Sequence, residues 1–300
     1  MPMDERQLRI LRELGELGSV SAVAEALLVT PSAISQQLRL LQRAAAVPLT
    51  ERSGRRLVLT PAGQALADAA VEVEAALARA RQTVEEFLAE PTGTVTLAAF
   101  HSAGLMFFPA LLRALTGPGA PRLSVADEDV AQEHFPKLTR AYDLVLAHRF
   151  DHAPPWPRTV AVTPLLHEPL DIALPTGHPL TAKARLRPDD VAGEPWVTVH
   201  DGFPVFALFE AIATAAGRSP ERVHRVNEFT VVAEIVAAGG GIALLPRWTT
   251  RPHPDVVLRP LAGVRARRHI DVLYRPEQAA RHAVRTVLAE LERAAERIRR

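Results

Sequence analysis

The chain contains no cysteine in 300 residues. That excludes disulfides, thiolate zinc sites, cysteine nucleophiles and thiol redox sensing, and it suits a reducing compartment. A secretory h-region is missing as well, because Asp4, Glu5, Arg6, Arg9, Arg12, Glu13 and Glu16 occupy the place it needs. No uninterrupted apolar run approaches the ~18 residues of a membrane span. A soluble, cytoplasmic protein with no membrane partner is therefore expected. Charge of one sign is also lacking: 35 Lys and Arg stand against 34 Asp and Glu, so any nucleic-acid surface must be local. The eleven histidines fall without an HExxH pair, and neither a G-x-S-x-G elbow nor a P-loop occurs. The close pair His148 and His152 around Asp151 precedes Pro154-Pro155, where a rigid metal-binding helix does not form. No enzyme activity, metal or cofactor is expected.

At 48% hydrophobic residues the chain can bury a substantial core, enough for about two domains. Its composition changes near residue 90. Before that point proline occurs only at 2, 31, 48 and 61, which leaves long stretches free to be helical. After Pro91, β-rich runs at Thr94 to Ala99, Leu123 to Ala126, Leu144 to Ala147, Val160 to Val162, Trp196 to Val199 and His269 to Tyr274 alternate with helical stretches. That alternation predicts an α/β domain with a largely parallel sheet.

Within the first part, Leu8, Leu11, Leu14 and Leu17 repeat at helical spacing and stop at Gly18. Ser19 or Ser21 then caps a short helix, Ala22 to Leu28. Thr30-Pro31 is an N-cap followed by a first helical residue whose missing N–H costs nothing, and it opens a helix through Ala45. Ile34, Leu38 and Leu41 share the buried face of that helix, while Ser32, Ser35, Gln36, Arg39 and Arg43 lie on the rest of its surface. Short polar side chains on such a helix suit the major groove, where Gln pairs with adenine and Ser with several base edges. Val47-Pro48-Leu49 leads into Thr50 to Arg56 and the alternation Leu57, Leu59, a two-stranded wing with a basic tip. From residue 30 to 56 five arginines (39, 43, 52, 55, 56) face one acid, Glu51: a local +4 in a chain that nets +1. That asymmetry is an electrostatic footprint of duplex binding.

Three stretches carry a resemblance to the LysR-type family of bacterial transcriptional regulators: Gly18 to Leu27, Thr30 to Leu38, and Pro48 to Arg52 with Leu59 to Gly63. One departure is Thr50, where the family usually places a buried Phe. The resemblance implies that Ser32, Ser35, Gln36 and Arg39 face bases or phosphates and that Arg52, Arg55 and Arg56 reach the backbone or minor groove. With Thr30 and Ala33 these form the candidate DNA-contact set. Fold and domains follow: an all-α winged helix-turn-helix over 1–60, a linker helix over 61–90, and an α/β periplasmic-binding-protein-like (type 2) two-lobed effector domain over 91–300. Lobe one takes 92–161 and 267–300, and lobe two takes 162–266.

Thr60-Pro61 repeats the cap-plus-proline start, and Leu66, Ala70, Val73, Leu77, Ala80, Val84 and Phe87 are spaced 4, 3, 4, 3, 4, 3 as a heptad seam. The seam predicts pairing with a second copy, and the family implies a homodimer or homotetramer. In the second part the resemblance continues through Asp143 to Leu146, the "HPL" turn at His178-Pro179-Leu180, and Val236 to Pro246. Gly239-Gly240-Gly241 end a helix and start a strand, the reverse of a phosphate loop. Ligands of such folds bind at strand carboxyl ends, which nominates His101, Ser102, His148, Arg149, His200, Phe203, Phe229 and Thr230. A helix cap is the competing role for Ser102. Histidines around a cleft predict effector affinity that changes near neutral pH. The expected partners are double-stranded promoter DNA, a small-molecule effector, a second copy of the chain and RNA polymerase. The rival readings are a solute-binding or catalytic α/β protein with an incidental DNA-binding module, and an architectural duplex binder without an effector.

Overall fold

The computed structural model describes residues 3–53, 56–87, 93–151 and 153–299, with 56 and 81–87 described by backbone alone. It divides into two units, one of Met1–Pro91, Pro157–Ala161 and Tyr274–Arg285, the other of Thr92–Trp156, Val162–Leu273 and Thr286–Arg300.

In the first unit, α1 (Glu5–Leu17), α2 (Val20–Ala26) and α3 (Pro31–Ala45) precede a hairpin of β1 (Thr50–Ser53) and β2 (Arg56–Leu59), and α4 (Pro61–Phe87) follows. Local chemistry sets each start. Asp4 accepts the Gln7 amide at 2.8 Å, Ser19 accepts that of Ala22 at 3.1 Å, and Thr30 accepts that of Ala33 at 3.3 Å with Pro31 in the first turn. Gly18 ends α1 in the left-handed region at φ 67°. Because Ser19 is the residue that caps, α2 begins two positions before the expected Ala22. The core joins Leu8, Leu11, Leu41, Leu49, Ala67 and Ala70 on one side of α1 and Ile10, Leu14, Val23, Ala24 and Ile34 on the other. Each buried Leu or Ile contributes about 1.5–3 kcal/mol. Thr60 holds the wing to α4: its hydroxyl donates to the Pro48 carbonyl at 2.7 Å, and its amide donates to that of Leu49 at 3.1 Å. Gly63 is required there, since a Cβ would sit 1.9 Å from the Leu49 carbonyl oxygen.

The second unit opens with β3 (Thr94–Ala99), α5 (His101–Ala114), β4 (Arg122–Asp127), α6 (Phe135–Leu138) and β5 (Leu144–Phe150). A long β6 (Ala161–Pro175), α7 (Pro188–Val191), β7 (Pro195–Thr198), α8 (Phe206–Ala216), β8 (Glu221–Arg225), α9 (Phe229–Ala237), β9 (Ala243–Pro246) and β10 (Val256–Arg259) follow, and β11 (Arg267–Tyr274) and α10 (His282–Arg299) complete the chain. One sheet runs in the order β10-β6-β11-β5-β3-β4, with β9 added on β6, and β7 pairs with β8 separately.

The sheet is mixed rather than largely parallel. β3 is parallel to β4 and β5, but β11 returns antiparallel to β5, and β9 and β10 lie antiparallel to the distal half of β6. Trp196 fills the centre of one core, 1% exposed, with its indole N–H donated to the Val191 carbonyl at 2.9 Å. The turn at Gly241 (φ 135°) lets the chain pass Pro195, whose carbonyl oxygen a Cβ would approach to 2.7 Å.

Candidate nucleic-acid interface and effector cavity

α3 presents one polar stripe. Ser32, Gln36, Arg39 and Arg43, spaced 4, 3 and 4, are exposed, while Ile34 and Leu41 are buried behind them. Thr30 is exposed at the helix start and shares a 2.9 Å hydroxyl contact with Ser32; Ser35 and Ala33 are half-buried beside the stripe. In the hairpin, Glu51, Arg52 and Ser53 are exposed. Arg39, Arg43 and Arg52 have no ion-pair partner among the described residues, so these charges remain available to an incoming anion.

The second unit holds a cavity of about 400 Å³, counting its open mouth. Phe100, Ser102, His148, Phe203, Phe229 and Arg268 line it, with His101, Asp129, Asn227 and Glu228 around them. Arg268, 2% exposed, donates from Nε to Glu168 Oε2 at 2.9 Å and from Nη2 to Ser102 Oγ at 2.9 Å and Thr249 Oγ1 at 2.6 Å. Its guanidinium lies 5.0 Å from the Phe100 ring centroid and 5.7 Å from that of Phe229. Glu168, fully buried, also receives the amides of Trp248 at 2.8 Å and Thr249 at 2.7 Å, so this buried charge is both paired and hydrogen-bonded. Ser102, Glu228 and Phe229 also border a second, adjoining cavity lined by Thr230, Thr249 and Thr250.

Titratable groups at the cavity differ sharply. Burial, with the Arg268 charge adding to it, pushes His148 down to about 3. His101 is raised, first by its 3.1 Å hydrogen bond to Asp127. Desolvation raises Asp129, and the neighbouring Asp127 raises it further. Burial alone would raise Glu228 too, but bonds from the Thr230 hydroxyl at 2.6 Å and the Val231 amide at 2.8 Å outweigh it and hold this carboxyl low.

Comparison with known proteins decides the family. Residues 5–64 match the family described as bacterial regulatory helix-turn-helix protein, lysR family, and residues 88–296 match the LysR substrate binding domain. The chain belongs to the LysR family of transcriptional regulators. Relatives include the HTH-type transcriptional regulator TtuA of Agrobacterium vitis, 29% identical over 83% of this chain and 82% of that protein. The transcriptional dual regulator OxyR of Escherichia coli is 25% identical over 91% and 90%. Among solved structures, full-length CbnR complexed with its target DNA shares the fold at TM-score 0.52 and 23% identity, covering 98% of this chain and all of that one. A Corynebacterium glutamicum OxyR mutant does so at TM-score 0.57 and 21% identity, covering 99% and 94%. These matches are to regulators rather than enzymes, and the rival solute-binding or catalytic reading finds no support.

In this LysR-family regulator the nominated cavity residues separate into two groups. His101, Ser102, His148, Phe203 and Phe229 line the first cavity and Thr230 the second. Arg149 does not join them: strand alternation turns it away from its neighbour His148, and its Nε pairs with Asp271 at 3.3 Å. His200 is exposed and outside the lining; its backbone amide donates to Asn227 Oδ1 at 2.9 Å. The expected titration of cleft histidines near neutral pH fails for His148, which burial keeps neutral. Ser102 is not a cap. The N-cap of α5 is Phe100, which makes no side-chain cap bond, and the Ser102 hydroxyl receives Arg268 instead.

The seam on α4 also divides. Ala70 is taken up in the chain's own core and Leu66 packs beside it, because α1 lies along the first turns of α4. Val73 is 40% exposed, Leu77 half-buried and Ala80 exposed. Arg55 lies outside the described residues, as do the side chains of Arg56, Val84 and Phe87. Sequence reasoning missed Arg268, Glu168, Asn227 and Glu228. For Arg268 a signal existed, since it shares the buried strand face of Ile270 and Val272, where an unneutralised cation has no place.

Proposed function

We propose that this regulator binds promoter DNA as a homodimer or homotetramer, with α3 in the major groove and the wing against the backbone, and that a small molecule in the Ser102–Arg268 cavity changes that binding. Ser32, Ser35, Gln36 and Arg39 meet bases or nearby phosphates, with Thr30 and Ala33 at the helix start. Arg52, Arg55 and Arg56 supply backbone charge. The exposed Val73 and Ala80 and the half-buried Leu77, continued along the sequence by Val84 and Phe87, supply the pairing face. The ligand acts by preferring one of two assembled states that differ in how the DNA-binding parts are spaced, which alters access for RNA polymerase in the cytoplasm. The domain division of 1–60, 61–90 and 91–300, with lobes at 92–161 plus 267–300 and 162–266, belongs to the same proposal.

The observation that carries it is the exposed stripe Ser32, Gln36, Arg39 and Arg43, with unpaired guanidinium groups on an otherwise charge-balanced chain. Fluorescence anisotropy with the full chain tests it. A duplex from its own upstream region should bind at least about 10³-fold more tightly than random duplex at physiological salt. Equal binding to both, or none to either at low salt, would overturn the reading.

A further inference from the structure

We propose that the ligand of the Ser102–Arg268 cavity is a cation: an ammonium-bearing small molecule with a flat apolar body, its charge placed against Asp129 and Glu228. The proposal rests on the reading of this cavity as the effector site and names the class of molecule it takes.

A buried arginine beside a cavity ordinarily argues for an anionic ligand, and the charge inventory decides against that here. The Arg268 charge is already met by Glu168 at 2.9 Å, and its Nη2 is shared between Ser102 and Thr249. Around the mouth stand three carboxylates, Asp127, Asp129 and Glu228, against one histidine, His101, which reaches Asp127 at 3.1 Å and Glu228 at 3.3 Å. Even a fully protonated His101 leaves the rim negative. Asp129 lines the cavity and has no hydrogen-bond partner among the described residues.

His148 marks the cavity as one that takes a polar group. It is only 6% exposed, it lines the same cavity, and its Nδ1 has no hydrogen-bond partner among the described residues. A buried polar atom left unpaired is costly, and a neutral imidazole nitrogen pairs with a ligand N–H in one tautomer and a ligand oxygen in the other, so the sign of the ligand's charge rests on the carboxylates. Phe203, Phe229 and Val205 supply the apolar part of the lining, against which a flat body packs.

Isothermal titration of the full chain with three molecules sharing one body tests the assignment: 2-phenylethylammonium, 2-phenylethanol and phenylacetate. The ammonium should bind at least about tenfold more tightly than phenylacetate, with the alcohol between them. The isosteric pair Asp129→Asn with Glu228→Gln, which keeps the cap on Val231, should shrink that preference to within about threefold. Tighter phenylacetate binding, a preference that survives the double variant, or no binding by any of the three would overturn the proposal. Phe203→Trp, which fills the cavity, separates the underlying reading. If it displaces phenylacetate while the ammonium never binds, the cavity stands and the charge assignment falls. If the ammonium binds this variant as well as it binds the unaltered chain, the cavity itself is not the site.

Discussion

Arg268 on β11 donates a 2.9 Å hydrogen bond to the hydroxyl of Ser102 on α5, across 166 positions of sequence. The bond brings the first turn of the helix after β3 to the strand by which the chain returns to its first sheet half. A guanidinium that also holds Glu168 and Thr249 thus fixes three separate segments around one cavity.

Arg268→Met should unfold the second unit early, because it leaves Glu168, fully buried, without its counter-charge. Breaking such a pair from one side costs about 3–5 kcal/mol. Ser102→Ala removes one hydrogen bond and should cost only about 1 kcal/mol while abolishing the ligand response. Denaturant midpoints of both variants check the ordering; an Arg268→Met protein as stable as Ser102→Ala would show that Glu168 does not depend on this partner.

The winged-helix region was legible because its signals are local: Asp4, Ser19, Thr30 and Thr60 cap within three residues of themselves, and Gly18 and Pro31 punctuate the helices. The cavity was half legible. Strand ends nominate Ser102, His148 and Phe229, but the run Val160 to Val162 is only the start of β6, which continues to Pro175 through Pro164 and Pro169, residues that ordinarily interrupt a strand. Glu168, the partner of Arg268, sits on the part of β6 beyond that run. The helix after β3 begins at His101, so Ser102 lies inside its first turn rather than at the cap position that its sequence suggests. On α4 the heptad spacing was real, yet spacing alone does not distinguish a second copy from α1, which claims Ala70.

Acid should weaken this protein through His148. Its folded value of about 3 lies below the ordinary 6.5, so between these limits the unfolded chain binds the proton and the folded chain does not. Stability therefore falls as pH drops from 6.5 towards 3, by about 2 kcal/mol between pH 7 and pH 5 from this one group. His148→Leu should remove that part of the slope. Parallel losses in the two proteins over this interval would show that His148 is protonated in the folded state at pH 5.

Gly63→Ala should destabilise the first unit by about 3 kcal/mol, since its Cβ meets the Leu49 carbonyl oxygen at 1.9 Å and has only backbone to displace. Gly177→Ala, whose Cβ meets nothing within 4 Å, should change stability by no more than about 0.5 kcal/mol. Thermal unfolding of the pair checks the contrast. A Gly63→Ala midpoint level with that of Gly177→Ala would mean that the wing and α4 do not approach so closely.

Gln36 and Arg52 should fail in different ways on DNA. Gln36 is exposed in the α3 stripe and presents an amide that pairs two ways with an adenine edge, whereas Arg52 in the hairpin presents charge. Gln36→Ala should therefore cost about 1–3 kcal/mol on the specific site and almost nothing on random duplex, with the salt dependence unchanged. Arg52→Ala should weaken both duplexes about equally and lower the slope of log affinity against log salt by about 1. Anisotropy titrations of both variants on both duplexes over a salt series separate the roles. Equal losses on the two duplexes for Gln36→Ala would remove that side chain from base reading, and an unchanged salt slope for Arg52→Ala would remove the wing from the phosphate contacts.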